Sequence, residues 1–597
     1  MFKKNNIARL FQSHPTIYGM LKDAKDIVSA RNSILGYINE MSRIISRDSH
    51  RLEPLEWTLQ NQCLLTIRKI LSLRSERVAK FSILKLLWNL AHEKYDQLPE
   101  DLNDGFFEEI ISLFNGMQGR SGIYDHEGYP EFAGKKGREA SIIRSRQLDK
   151  MAERCLMAMQ RYATGMDEDV IQIRMKNRRH ILKHFRASEE DWNDYRWHLR
   201  HVIRSSSQLE VLIKLKKEEK EAIDKAREGN LPFGITPYYV SLMDREPHRQ
   251  RDHAVRAQVI PPLDYVEAMR AHRDDKAHSI DFMLERETSP VDLITRRYPS
   301  IVILKPYNTC SQICVYCQRN WEITDVLAPK AMATKKQLDA AFQWLEGHPT
   351  ITEVLVTGGD PLVMSDSRLN AILSRLAEIE HIARIRIGSR IPVVLPMRIT
   401  DSLMDVIAKY RIPGRRTMAL VTHFEHMYEV TPEAMQAVQR FRMRGISVYN
   451  QTVFTIENSR RFELAALRRM LRMIGVEPYY TFNTKGKEET KSYRVPLARL
   501  RQEIKEEARL LSGLTRTDEP VYNVPRLGKN YLRALQHHSI LTILSDGRRV
   551  YEFHPWEKYL SLADTYIDTD VSISEYLNEI KKRGENPEDY KSIWYYF

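Results

Sequence analysis

Cys310, Cys314 and Cys317 stand in the run Thr309-Cys-Ser-Gln-Ile-Cys-Val-Tyr-Cys-Gln-Arg319, a Cys-x3-Cys-x2-Cys triplet just after an apolar stretch. Three clustered thiolates are one short of the four that saturate a 4Fe–4S cluster, and an iron without a protein ligand can bind and reduce a small molecule. Zinc wants four ligands, and the segment offers neither a fourth Cys nor a nearby His. Unpaired core thiols are the other ordinary reading; the cluster is the stronger one. Cys63 and Cys155 are isolated on helix-like stretches and read as small core residues. Five cysteines in 597 residues make no disulfide framework and suit a reducing compartment.

The elements that must position this triplet begin near residue 300. Short apolar runs (Ile301–Leu304, Val354–Thr357, Ile385–Gly388, Met418–Thr422, Ile446–Tyr449 and Pro478–Phe482) alternate with helical patterns such as Lys335–Leu345, Ser367–Glu378, Pro432–Arg444 and Ser459–Ile474. Such alternation predicts an α/β fold of βαβ units around a parallel sheet. Six units predict a partial (β/α)6 barrel, with the groups after each strand converging at one open end. The strand ends carry polar clusters there. Gly358-Gly359-Asp360 offers two glycines that let a ligand approach the backbone and an acid that can accept from an ammonium. Ser389-Arg390, His423 and Gln451 follow at the next three ends.

A net charge of +13 favours anionic partners without naming them. The basic residues are scattered on helices, as in Arg174–His180, and read as solvated faces rather than a nucleic-acid arm. No stretch has the length of a membrane span, and no signal-peptide core follows Met1, so a soluble cytoplasmic protein is expected.

The triplet resembles that of the radical S-adenosylmethionine (SAM) superfamily. Gly358–Asp360, Arg386–Thr400, Thr422–His426, Asn450–Val453 and Tyr479-Tyr480 look like the lysine 2,3-aminomutase family in particular. Trp192–Trp197, Ile235–Tyr239 and Arg297–Pro299 resemble that family's N-terminal helical arm. The likeness covers about residues 190–560, with the motif order kept. It implies a radical SAM barrel in which Cys310, Cys314 and Cys317 hold a 4Fe–4S cluster. Gly358, Gly359, Asp360, Ser389, His423 and Gln451 would hold SAM. It further implies pyridoxal 5′-phosphate (PLP), held as a Schiff base by Lys529, with Arg297 and Tyr298 at its phosphate. The family's next phosphate arginine is replaced by Ile301, and the loop before Lys529 is short, with Gly528 its one glycine. Lys529 is alternatively the start of a helix. Arg319 falls where the family grips the substrate α-carboxylate, a contact that suits a planar guanidinium.

Lysine-specific members recognise the distal ammonium with two aspartates. Their positions hold Lys485 and Pro525 here. A buried lysine repels an ammonium and attracts a carboxylate. The pattern is similar to the glutamate 2,3-aminomutase branch, so L-glutamate giving β-glutamate is the expected reaction and Lys485 the expected side-chain contact. Lysine 2,3-aminomutation, a radical SAM enzyme that modifies a macromolecule without PLP, and a non-catalytic binding protein with a vestigial barrel are the alternatives. The resemblance also implies an electron donor such as flavodoxin or ferredoxin, and a homo-oligomer.

Four segments are expected: helical 1–190, of open role, the arm 191–299, the barrel 300–515, and a C-terminal PLP-lysine and subunit-contact region 516–597. Leu64–Leu73, Val78–Lys94, Asp101–Phe114 and Ser141–Arg161 show helical periodicity in the first. In the last, Leu541–Phe553 predicts a hairpin, with Asp546-Gly547 as a two-residue turn.

Overall fold

The computed structural model describes residues 5–47, 54–124, 130–247, 251–272, 281–320, 322–484, 488–534, 537–555, 560 and 564–597. The chain groups by contact into two compact units. One comprises residues 1–155, 495–507 and 529–597, the other residues 156–494 and 508–528.

The second unit is built on a sheet with the order β1 (Ile294–Thr295), β2 (Ile301–Tyr307), β3 (Glu353–Gly358), β4 (Arg384–Gly388), β5 (Thr417–Thr422), β6 (Ser447–Phe454), β7 (Glu477–Asn483) and β8 (Glu519–Val524). All neighbouring pairs from β2 to β8 are parallel; the two-residue β1 pairs antiparallel with β2. The six expected strands are all present. β8 is a further parallel strand, although its Val521 and Val524 lie in the stretch read as a loop from sequence. Four connecting helices, Lys335–Glu346, Asp366–Glu378, Asp401–Ala408 and Pro432–Met443, start after Thr334, Ser365, Thr400 and Thr431. Each of those hydroxyls accepts a first-turn N–H, leaving one fewer orphan donor at the helix start.

Alternation along the strands divides the sheet into two faces. Val302 and Leu304 of β2, Val354 and Val356 of β3, and Ile385 and Ile387 of β4 are fully buried. The intervening residues, Lys305, Thr357, Arg386, Tyr449, Gln451 and Tyr479 among them, are only half-buried. One face is therefore a hydrophobic core and the other carries polar and aromatic groups. The β2–β3 register slips between Leu304 and Tyr307, where Pro306 has no N–H to give the ladder. That irregularity ends the strand and releases the chain into the cysteine loop.

The first unit packs the helices Asn5–Ser13, Pro15–Asp23, Ile27–Arg47, Pro54–Ile70, Leu73–Ala79, Ile83–Ala91 and Asp104–Met117 with a three-stranded antiparallel sheet. That sheet is β10 (His538–Ile543), β11 (Arg549–Phe553) and β12 (Tyr566–Thr569); the preceding strand, β9, is Gly528–Tyr531. The expected helix over 78–94 is two. Lys80 closes the first in the left-handed region (φ 52°), and Ser82 caps the second. The hairpin forms, but its turn has three residues. Leu544 N–H donates to Arg548 O (2.9 Å) and Gly547 N–H to Leu544 O (2.9 Å), with Gly547 at φ 78°. This is a tight turn followed by one left-handed residue. A Cβ on Gly547 would also lie 2.6 Å from the carbonyl carbon of Gly105. Cys63 is fully buried, as expected for a core residue.

Candidate functional site

The loop after β2 places Cys310, Cys314 and Cys317 under close control. Leu327 N–H donates to Cys310 O (3.1 Å), Ile313 N–H to Gly234 O (2.9 Å) and Val315 N–H to Gln258 O (2.7 Å). Thr309 Oγ1 donates to Asp325 O (2.7 Å) and accepts from Ala328 N–H (3.1 Å). Backbone of the arm and two side-chain bonds from Thr309 thus fix the loop at both ends. All three thiols are half-buried and form no disulfide. Burial, then the charges of Asp360, Cys317 and Cys314, raise the Cys310 thiol, so the three sulfurs feel one another. Thiols clustered this closely are a donor set matched to a cation that neutralises them.

The Gly358-Gly359-Asp360 turn docks on the segment preceding Cys310. Gly359 N–H donates to Tyr307 O (2.8 Å) and Asp360 N–H to Thr309 O (2.9 Å). A Cβ on Gly359 would overlap the Thr309 backbone, and Gly358 sits at φ 107°. The close approach these glycines permit is made by the chain's own backbone. Asp360 is buried and ties two strand ends together. Its Oδ1 accepts from Ser389 Oγ (2.7 Å) and Leu362 N–H (3.0 Å), its Oδ2 from Arg390 N–H (2.8 Å). Burial outweighs these donors and lifts the carboxyl to about 6.

Arg390, named from sequence only as part of a polar strand end and given no role, joins more of the site than any residue that was given one. Nη1 donates to Cys314 Sγ (2.8 Å), Nε to His423 O (3.1 Å) and Nη2 to Glu429 Oε1 (2.6 Å) and to Gln258 Oε1. Glu429 is fully buried and also accepts from Tyr239 OH (2.6 Å) and Gln258 Nε2 (2.9 Å). Tyr239 closes the Ile235–Tyr239 motif of the arm, so the arm supplies site residues. Glu425 is a second such residue. Its Oε2 accepts from Val453 N–H (2.6 Å), and burial raises its carboxyl to about 8. His423 is half-buried, Nδ1 3.8 Å from Glu425 Oε1, and is held down to about 4 by desolvation and the Arg390 charge. Gln451 lies half-buried on β6. Their place in polar strand ends was visible in sequence; their roles are set only by contacts in three dimensions.

No protein-family model matches the chain. A KamA family protein of Methanocaldococcus jannaschii, itself uncharacterised, is 41% identical over 607 aligned residues, covering 98% of this chain and 97% of that protein. This chain belongs to the KamA family. Two further relatives match over part of the chain. The glutamate 2,3-aminomutase of Clostridioides difficile is 32% identical, over 59% of this chain and 79% of its own length. The L-lysine 2,3-aminomutase of Acetoanaerobium sticklandii is 34% identical, over 52% of this chain and 72% of its own.

The remaining predicted residues are distributed as follows in this KamA family chain. Arg319 is half-buried in a four-charge cluster, Nη2 3.1 Å from Glu285 and Nη1 3.3 Å from Glu322, and Lys305 joins the same two carboxylates at 3.4 and 2.6 Å. Arg297 donates to Met283 O, and Tyr298 is half-buried beside it in sequence. Lys529 is half-buried in β9 rather than at a helix start, and belongs to the first unit. Before it, Arg526 adopts φ 66°, the left-handed region a glycine would take without strain. Lys485 lies outside the described residues.

His253, His426 and Glu463 also bring ligand atoms within reach of one ion. However, Arg460 Nη2 bonds both His253 Nε2 (3.0 Å) and Glu463 Oε1 (2.6 Å), so a guanidinium already supplies the positive charge. Among the described residues, no helix is long and apolar enough to cross a membrane.

Proposed function

We propose that this chain is an isomerase, a radical SAM, PLP-dependent 2,3-aminomutase that moves the α-amino group of L-glutamate to Cβ. The observation that carries the reading is the triplet Cys310, Cys314 and Cys317 in one loop, bound through Arg390 and Asp360 to the neighbouring strand ends. These thiols would hold a 4Fe–4S cluster whose open iron supplies reductive cleavage of SAM. Gly358, Gly359, Asp360, Ser389 and His423 stand at the ends of β3, β4 and β5, and Gln451 within β6; as one rim of a partial barrel they would hold SAM. Arg390 keeps Cys314 in place and partly offsets the charge of its thiolate. Glu425 keeps its proton at neutral pH and so adds no negative charge beside the thiolates.

Lys529, Arg297 and Tyr298 would hold PLP, which supplies an electron sink at the substrate nitrogen. Arg319 takes the substrate α-carboxylate; a guanidinium has five N–H donors, more than its two ion pairs use. Lys485 in place of an acid favours a side-chain carboxylate. Residues 516–597 contribute the PLP lysine and the contact between subunits of a homo-oligomer, and flavodoxin or ferredoxin is the electron donor. Lysine as substrate is the second reading, favoured by the similar identity to L-lysine 2,3-aminomutases.

Reconstituted protein incubated anaerobically with SAM, PLP, reductant and glutamate, aspartate or lysine tests this. β-Glutamate without β-lysine is expected. β-Lysine overturns the pocket reading and keeps the reaction class. 5′-Deoxyadenosine without either product overturns the aminomutase.

A further inference from the structure

The first unit carries a pocket of about 450 Å³, open to solvent on one side and in the size class of small-molecule sites. Its walls come from three elements distant in sequence and from the chain's last residues: helix Pro54–Ile70, helix Leu497–Glu506, strand β10 and Phe597. Leu59, Ile504, Ile540 and Phe597 make part of the lining apolar. The charged part is cationic: Lys69, Arg501, Lys505 and Arg533 line it beside the imidazole of His538, and no acidic side chain does.

Two of these basic groups are unsatisfied. Arg501 forms no hydrogen bond or ion pair with any described residue; the charged or ionisable groups that act on it are Tyr551, Arg549 and Tyr596. Arg549 adds repulsion, and its own guanidinium is already paired with Glu109. On the same helix, Arg499 shows what a purely structural arginine looks like, with Glu507 at 2.7 Å. His538 is 5% exposed, and its Nδ1 is buried without a hydrogen-bond partner. Arg501 is half-buried with no protein acceptor, and the buried His538 Nδ1 lacks a partner, so both can serve a ligand that supplies acceptors.

We propose that this pocket is a binding site for a small organic anion, an oxyanion head on an apolar body, with Arg501 and His538 receiving the head. Carboxylates and phosphate monoesters share that chemistry. The site is separate from the cysteine loop, and the proposal stands whether or not the aminomutase reading does.

Thermal unfolding of the full chain with millimolar benzoate, phenyl phosphate, inorganic phosphate or benzyl alcohol tests it. Benzoate or phenyl phosphate should raise Tm by roughly 2 °C or more, and whichever is stronger identifies the head group. Benzyl alcohol should do nothing, and inorganic phosphate should do less than phenyl phosphate. Arg501→Gln should weaken the effect at least about tenfold, and Arg501→Lys should keep part of it. Without ligand, Arg501→Gln should unfold no earlier than the wild type, since it removes a half-buried charge that has no ion-pair partner among the described residues. Three results overturn the proposal: no shift with either organic anion, an equal shift with benzyl alcohol, or an Arg501→Gln protein that is destabilised or unfolded without ligand.

Discussion

Arg549 in the first unit and Arg390 in the second are both withdrawn from solvent, and they are satisfied in different ways. Arg549 gives Nε and Nη2 to the two oxygens of Glu109 (2.9 and 2.8 Å), and the rest to Tyr596 O (2.7 Å) and Trp594 O (2.6 Å). Every acceptor is strong, and the bidentate carboxylate fixes the geometry. Arg390 spends one donor on the sulfur of Cys314, a weak acceptor while protonated and a strong one as a thiolate. The first arrangement is complete as it stands and holds the N- and C-terminal parts of one unit together. The second is completed only when the thiol loses its proton, which marks a site rather than a staple.

The largest effect that this contrast predicts is at the cysteines. Replacing any one of Cys310, Cys314 or Cys317 by Ala should abolish iron–sulfur absorbance in reconstituted protein, whereas Cys63→Ala, deep in the first unit, should leave it intact. Retained iron in Cys314→Ala would remove the basis of the contrast. Next comes Arg549→Met, which leaves Glu109 buried and unpaired and should cost about 3–5 kcal/mol in denaturant unfolding. The double variant with Glu109→Leu should recover much of that. Arg390→Met takes the ion-pair partner from the buried Glu429, which keeps donors from Tyr239, Gln258 and two backbone N–H groups. It should therefore cost less stability than Arg549→Met while lowering cluster retention or SAM cleavage about 10–100-fold, as for other groups that orient a metal ligand. A stability loss as large as that of Arg549→Met would make Arg390 a staple too.

The pH dependence sharpens the comparison further. Burial and the charges of Arg501, His537, Lys69 and His554 lower His538 from 6.5 to about 3. The unfolded chain therefore takes up a proton first as pH falls, so the contribution is present above about 6.5 and is lost toward 3. By pH 5 the loss reaches about 2 kcal/mol, and His538→Gln should flatten that limb of a stability–pH profile. The smallest effect is expected at Arg74, which pairs with Glu552 at 2.6 Å but is 62% exposed; Arg74→Ala should cost under about 1 kcal/mol.

Much of the site was legible because cofactor chemistry constrains local spacing. The triplet, the Gly-Gly-Asp turn and the polar strand ends each occupy a few consecutive residues, and short apolar runs between helical patterns marked the six strands. β8 was missed because its short run was read as the approach to Lys529, although Val521 and Val524 carry the pattern of a buried strand. The single helix expected over 78–94 overlooked Ser82, whose side chain offers the backbone a new helix start.

The sequence by itself determined which chemistry this chain can carry, because residue type and local spacing set a thiol donor set and a strand–helix rhythm. Tertiary structure alone decided which buried charges are satisfied. Arg390 meets Cys314 across 76 residues, Arg549 meets Glu109 across 440, and Arg501 pairs with no carboxylate among the described residues. In sequence these three arginines look alike. Their partners come from distant segments that packing brings into contact, and in a low dielectric the presence or absence of a partner decides what a charge does.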